Sequence, residues 1–311
     1  MSWRIHLTNQ AIRHLDILTE TEPVLLVWIR PNHVHAYDLE KGTLRRDLIL
    51  DIPAETASRQ SEEWLTFIRS LRLNLKGKFF PRVRMDKGEI FLTEDGKFRL
   101  LHLDDDRLIG NYDRKEGLAK AHLAYESLGA VALDYIMGTF VAVDEKGRLH
   151  VFQQNMPAKA FDIGLELDPI LSPHVAISHA SGMIFVSDGK SILRVDTAGQ
   201  VLAKRSLHYS LGRIACSPKG DLLITSDLES GVIRAYHSEA LQLTYQKFAI
   251  DLVAEAAQIQ LMADLPPVTT AITALAAADA GYFSFAMAGI VCSSQLRLMD
   301  LLPGQKDIFE S

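Results

Sequence analysis

The stretch Val175-Ala176-Ile177-Ser178-His179-Ala180-Ser181-Gly182-Met183-Ile184-Phe185-Val186-Ser187-Asp188 decides how the whole chain reads. Laid beside Val131-Ala132-Leu133-Asp134-Tyr135-Ile136-Met137-Gly138-Thr139-Phe140-Val141-Ala142-Val143-Asp144, it keeps the Val-Ala pair, the glycine and the closing aspartate in register. The same figure returns as Ile214-Ala215, then Gly220, then Leu222-Leu223-Ile224-Thr225-Ser226-Asp227. Looser copies run from Val83 through Gly88 to Ile90-Phe91-Leu92-Thr93-Glu94-Asp95, and from Thr273-Ala274 to Gly281-Tyr282-Phe283-Ser284-Phe285. A sixth joins residues 12–18 to Val24-Leu25-Leu26-Val27-Trp28. The glycines at 88, 138, 182, 220 and 281 are separated by 50, 44, 38 and 61 residues. Those intervals bracket the roughly 40–50 residues of a four-stranded repeat unit.

Each copy has the grammar of an antiparallel meander. A short apolar strand is followed by a turn ending in Gly, then by a β-branched and aromatic strand. Next comes a tight acidic-glycine turn such as Glu94-Asp95-Gly96 or Asp144-Glu145-Lys146-Gly147, where glycine supplies the positive φ of a hairpin. A third strand alternates polar and apolar residues, as in Arg148-Leu149-His150-Val151-Phe152 and Ser191-Ile192-Leu193-Arg194-Val195. A fourth, more polar strand closes most units, as over 201–209 and 241–248.

The repeat resembles a β-propeller blade of the NHL, gluconolactonase-like or WD40-like kind, over almost the whole chain and most clearly over 131–236. The signature dipeptides of WD40 proteins are not evident, which favours the broader propeller group. Six third strands are counted, ending near Asp38, Leu103, Gln153, Asp196, Tyr236 and Asp300. The segment Trp3-Arg4-Ile5-His6-Leu7-Thr8 precedes the first unit and is expected to complete the last blade, removing exposed strand edges. The expected fold is therefore a single all-β domain over 1–311, a six-bladed propeller of four-stranded antiparallel blades closed by the N-terminal strand. Seven blades is the alternative.

Composition agrees with a folded globular chain: 48% of residues are hydrophobic and 23% charged. Lys and Arg number 33 against 39 Asp and Glu, a net charge of -6 that argues against a dedicated nucleic-acid binder. Cys216 and Cys292 are the two cysteines, without metal-type spacing, and fit a reducing compartment. The first residues lack a signal-peptide core, so a cytoplasmic protein is expected. Residues 268–294 carry only Asp279 as a charge and exceed a membrane span in length. Their Ala, Thr, Ser and Gly content gives little to favour hydrocarbon, and the repeat accounts for them better.

Three insertions precede first strands, at about 51–78, 113–127 and 251–265, and all three read as short helices. In the first, Trp64, Ile68, Leu71 and Leu75 share one helical face behind Ser61 as N-cap. Connections leaving a fourth strand emerge on the same face of a propeller as the acidic-glycine turns. The helices are thus expected on one face, either capping the core or marking a binding surface. Arg69, Arg72, Lys76, Lys78, Arg82, Arg84 and Lys87 form a basic run that includes Phe79 and Phe80. It is either a solvated helix end or a contact for an acidic partner.

Catalytic motifs are scarce. No Gly-x-Ser-x-Gly elbow, phosphate loop or dinucleotide fingerprint appears. Histidines fall without ligand spacing: His33 and His35 share one strand face, and His174, His179 and His208 fall in connections. Cys292 lies in an apolar loop between second and third strands and reads as a buried, inert thiol. The resemblance implies one alternative, a lactonase- or esterase-type hydrolase with a central Ca²⁺ held by Asp144, Asp188 and Asp227, with Asp95 as a fourth recurrent carboxylate. Asparagines expected in that ligand set are missing, and a turn hydrogen bond within each hairpin explains the repeated Asp equally well. The preferred reading is a non-enzymatic protein-protein interaction scaffold, a subunit of a larger complex. Its contacts are expected at Trp64, Phe67, Ile68, Arg69 and Arg72, with Phe79 and Phe80 behind them, unless these side chains pack down on the ring.

Overall fold

The computed structural model describes residues 2–7, 12, 14–18, 23–30, 33–49, 82–85, 88–92, 98–102, 111–112, 130–136, 139–144, 146–153, 159–178, 180–260 and 271–297. After β1 (Trp3–His6), the strands follow one another in meanders. The first sheet is β2 (His14–Leu18), β3 (Val24–Arg30), β4 (His33–Asp38) and β5 (Leu44–Ile49); the second is β6 (Arg82–Met85), β7 (Gly88–Leu92), β8 (Phe98–His102) and β9 (Asn111–Tyr112). The third is β10 (Ala130–Ile136), β11 (Thr139–Asp144), β12 (Arg148–Gln153) and β13 (Lys159–Asp162). The fourth is β14 (His174–Ile177), β15 (Ile184–Ser187), β16 (Ser191–Val195) and β17 (Val201–Ser206). The fifth is β18 (Leu211–Cys216), β19 (Leu222–Asp227), β20 (Val232–His237) and β21 (Gln242–Phe248). A helix, α1 (Ala249–Glu255), leads to β22 (Ala257–Gln260), and β23 (Ile272–Ala277), β24 (Tyr282–Met287) and β25 (Ile290–Gln295) complete the described chain. Within the four-stranded sheets each strand pairs with its sequence neighbour, so the architecture is all-β and built of small antiparallel meanders.

Why the second strands read as unbroken apolar runs is visible in the packing. In β15, Ile184 and Val186 point into the core shared with the β10–β13 sheet, among Val141, Val143, Leu149 and Val151. Phe185, between them in sequence, points the other way, against Leu211, Leu223 and Tyr236 of the next sheet. Alternate residues of a strand face opposite sides, so a sheet covered on both sides must be apolar at every position. In β24, Phe283 and Phe285 join Ile224 and Ile233 of the fifth sheet, and Ala286 meets Trp3, Ile5 and Leu25. Outer strands obey another rule: in β17, Val201, Leu202, Lys204 and Ser206 lie at least partly open to solvent.

First strands β10, β14, β18, β23 and β2 pack side by side in that order, so five sheets succeed one another face to face. The last sheet is joined to the first by the N-terminus. β1 lies antiparallel beside β25, with Trp3 opposite Ser293 and His6 opposite Ile290. Trp3 is buried, its indole N–H donates to the Leu39 carbonyl at 2.7 Å, and its ring lies 6.1 Å from that of Tyr37. Thr273 adds a hydroxyl donor to the Ile12 carbonyl.

Five details differ from expectation. The helix expected over 251–265 spans Ala249–Glu255 and gives way to a strand, β22, which pairs in parallel with β1 and makes this sheet five-stranded. Nor does this helix decorate a face. Its buried Ala249, Leu252 and Val253 wedge between the fifth and last sheets, and it carries the chain from the Val232 end of β20 to the Ser293 end of β25. The last third strand ends at Gln295, not near Asp300, because Ala288 and Gly289 both take positive φ (51° and 77°) and close a two-residue hairpin immediately after Met287. Cys292 therefore lies within β25, and His174 opens β14 instead of lying in a connection.

Candidate functional site

The strand order gives this architecture two faces. Turns between second and third strands, and connections from fourth to first strands, emerge on one of them, the hairpin face. On that face stand the three recurrent carboxylates, and each is engaged by its own turn. Asp144 accepts from the Lys146 and Arg148 amides at 3.0 and 2.9 Å, from Arg148 Nε at 2.8 Å, and shares a hydrogen bond with buried His150 Nε2 at 2.9 Å. Asp188 accepts from the Lys190 and Ser191 amides at 2.7 and 2.6 Å and from the Ser191 hydroxyl at 2.9 Å. Asp227 accepts from the Glu229 and Ser230 amides at 2.8 and 2.9 Å and faces Arg234 at 3.5 Å. Burial works to raise the Asp144 carboxyl, but the bonds from His150, Arg148 and Lys146 outweigh it and hold the group below the usual carboxylate range. Among the described residues no three His, Cys, Asp or Glu side chains gather closely enough to share a cation, so these carboxylates do not fit a common calcium centre. Asp95 lies outside the described residues.

Trp64, Phe67, Ile68, Arg69, Arg72, Phe79 and Phe80 also lie outside the described residues, as do the helices expected over 51–78 and 113–127. Of the basic run, the backbone of Arg82 to Met85 forms β6. Cys292 is fully buried, and burial pushes its thiol up to about 12, far from a nucleophile's range.

What the described part of this face does hold is a lattice of loops tied to one another. The Leu207 amide donates to the Lys190 carbonyl at 2.7 Å, Leu211 to Gly189 at 2.9 Å, Leu228 to Ser210 at 2.8 Å and Ala249 to Gly231 at 2.9 Å. Tyr209, in the 207–210 connection, anchors the middle of this lattice. Its hydroxyl hydrogen-bonds with Thr225 at 2.9 Å and Tyr236 at 2.8 Å, and the Arg234 guanidinium lies 3.7 Å above its ring. Arg234 in turn donates to Gln246 Oε1 at 3.0 Å. Burial raises both tyrosine hydroxyls above the ordinary phenol value, so they stay neutral and serve as hydrogen-bonding groups. A cation over an aromatic face adds about 0.5–2 kcal/mol when partly desolvated.

Along this lattice stand large apolar side chains that find no core. Ile170 is 87% exposed at the tip of a turn held by its own amide on Asp168 and by the Asp168–Lys190 ion pair at 2.6 Å. Leu228, Phe248 and Ile250 are 49%, 50% and 41% exposed around the turn between β19 and β20. None of these four was singled out from the sequence. A leucine after a turn aspartate, or a phenylalanine ending a strand, looks the same whether it is buried or open. Only the assembled face separates the two cases.

Among the first strands, His174 opens β14 beside Arg213 of β18, whose Nε donates to the Thr273 carbonyl at 3.1 Å. Burial, then the charge of Arg213, drops the His174 imidazole to about 4 against a hydrogen bond with the Leu211 backbone. It is neutral at physiological pH.

No protein-family model matches the chain, and no curated protein matches it in sequence. Solved structures do match in shape. Raptor from Chaetomium thermophilum shares 10% identity at a TM-score of 0.58, over 95% of this chain and 29% of that one. Streptogramin B lyase shares 9% at 0.48, over 94% of this chain and 97% of its own. Hsv2 from Kluyveromyces lactis shares 9% at 0.39, over 88% and 71%. The chain spans less than a third of the Raptor chain, and at such identity that likeness speaks for the fold alone, which is propeller-like.

Proposed function

We propose that the chain is a non-enzymatic protein-protein interaction scaffold, an accessory subunit of a larger cytoplasmic complex. In this reading the six sheets are the blades of one closed propeller, of NHL or WD40-like kind, and β1 closes its last blade. One observation carries the proposal. At the fourth and fifth sheets the turns and connections of the hairpin face are tied by backbone bonds, one of them from Leu211 to Gly189 across the two sheets, and the face presents Ile170, Leu228, Phe248 and Ile250 to solvent. A surface already rigid loses little entropy on association, and apolar anchors on such a surface are what a partner uses. The carboxylates that a hydrolase would need are committed to their turns, which gives that alternative no support. A separate contact, through Trp64, Phe67, Ile68, Arg69, Arg72, Phe79 and Phe80, would suit a partner with an acidic surface.

Affinity purification of the tagged chain from its own cells, at low and moderate salt, tests the proposal. A stoichiometric protein partner is the expected result, with loss at higher salt pointing to the basic run. A monomer that retains calcium and hydrolyses a lactone would overturn it.

A further inference from the structure

The dipeptide Ser-Pro occurs twice in the chain, at Ser172-Pro173 and Ser217-Pro218, and the fold treats the two serines in opposite ways. Ser217 is fully buried just after β18. Its hydroxyl donates to Asp221 Oδ1 at 2.6 Å and accepts from the Leu222 amide at 3.1 Å. Its amide donates to the Leu222 carbonyl at 2.8 Å, and its carbonyl accepts from the Gly220 amide at 2.9 Å. Every polar group of Ser217 is committed to its turn.

Ser172 is the reverse case. It lies in the 163–173 connection, which holds no helix or strand, and it is exposed. Its hydroxyl has no hydrogen-bond partner among the described residues. The chain on either side is anchored. Leu171 packs so closely on Gly189 that a Cβ there would lie 2.7 Å from the Leu171 Cβ, and His174 pairs with Ser187 as β14 begins. Pro173 confines Ser172 to extended backbone, the form that suits the open groove of a kinase. Proline also has no N–H, so such a groove must ask for no hydrogen bond just after the acceptor.

We propose that Ser172 is a phosphorylation site for a proline-directed protein kinase. The γ-phosphoryl group of a nucleoside triphosphate moves to Ser172 Oγ. Its bond to the bridging β-phosphate oxygen breaks, the diphosphate leaves, and the hydroxyl proton passes to the kinase. The product places about -1.5 to -2 charges two residues from Ile170 on the hairpin face. A partner resting on Ile170 then has to strip water from that phosphate, so phosphorylation releases it. The release rests on the scaffold reading; the site itself does not.

The test incubates the full chain and two synthetic peptides, 166–178 and 211–223, with magnesium ATP and a proline-directed kinase. Mass spectrometry then locates the phosphate. Both peptides are modified. In the folded chain Ser172 takes the phosphate, Ser217 stays bare, and S172A abolishes incorporation. A folded chain left bare at Ser172, or modified at Ser217 as readily, overturns the proposal. In chain isolated from its own cells with phosphatases blocked, Ser172 carries phosphate. A Ser172 that stays bare in both growing and stationary cells also overturns it. S172E, checked for an unchanged urea midpoint, retains about a tenth or less of the partner that wild type and S172A retain, the scale of a lost anchor. A partner that S172E retains at full strength overturns the release. Absence of any partner, wild type included, overturns the scaffold reading instead, and the mapped phosphate still decides the site.

Discussion

Replacing His174 with glutamine should remove a defined part of the protein's acid sensitivity. The imidazole opens β14, where burial first and Arg213 second disfavour its charged form, and the folded value is about 4 against 6.5 for the free group. As pH falls through that window, the unfolded chain takes up this proton before the folded one does. Stability therefore declines with falling pH, and the loss is complete below the folded value. A gap of that size corresponds to about 3 kcal/mol in full, of which about 2 kcal/mol is lost between about pH 7 and pH 5. Other groups titrate in the same range, so the readout is a difference of differences. Urea unfolding of both proteins at the two pH values should show wild type losing about 2 kcal/mol more than H174Q. Equal losses would refute the reasoning, because they would mean that His174 titrates alike in the folded and unfolded chains.

Further outcomes follow from other contacts. Asp144→Asn should cost about 3 kcal/mol in urea unfolding, since it leaves buried His150 and the part-buried donors of Lys146 and Arg148 facing a neutral amide. The stabilisation Asp144 supplies is present above the ordinary carboxylate range and fades as pH falls below it. Gly147→Ala should cost about 2 kcal/mol or more: Gly147 has φ +75°, and a Cβ there would lie 2.1 Å from the Leu165 carbonyl oxygen. Trp3→Ala should cost about 3–5 kcal/mol, with Trp3→Phe recovering part of it by restoring packing without the bond to Leu39. Thermal melts of the three would rank these effects.

The repeating figure made much of the fold legible. Ile184-Phe185-Val186 and Leu222-Leu223-Ile224 fall on second strands, and Asp144 and Asp227 close them, because a strand covered on both sides must be apolar throughout. The pairing of β1 with β25 was legible from an unassigned strand at one end and a short final unit at the other. β22 was not. Ala-rich sequence through Ala256 and Ala257 carries helical propensity with no stop before Pro266, and only the Ser2 carbonyl, far away in sequence, draws the Ala257 amide into a sheet. The Ala288-Gly289 turn escaped for a similar reason, since alanine rarely signals positive φ. The Tyr209–Arg234–Tyr236 cluster and the exposed Phe248 depend on which loops touch across neighbouring sheets, and no local pattern records that.

Cross-linking of the purified native complex with an amine-reactive reagent shows which face a partner occupies, because exposed lysines stand on both faces. Lys146 and Lys190 lie in turns of the hairpin face, and Lys41 and Lys219 lie in turns of the opposite one. Partner cross-links are expected at Lys146 and Lys190, with Lys41 and Lys219 left unlinked. Partner cross-links confined to Lys41 and Lys219, or a chain that yields none beyond itself, would contradict that expectation.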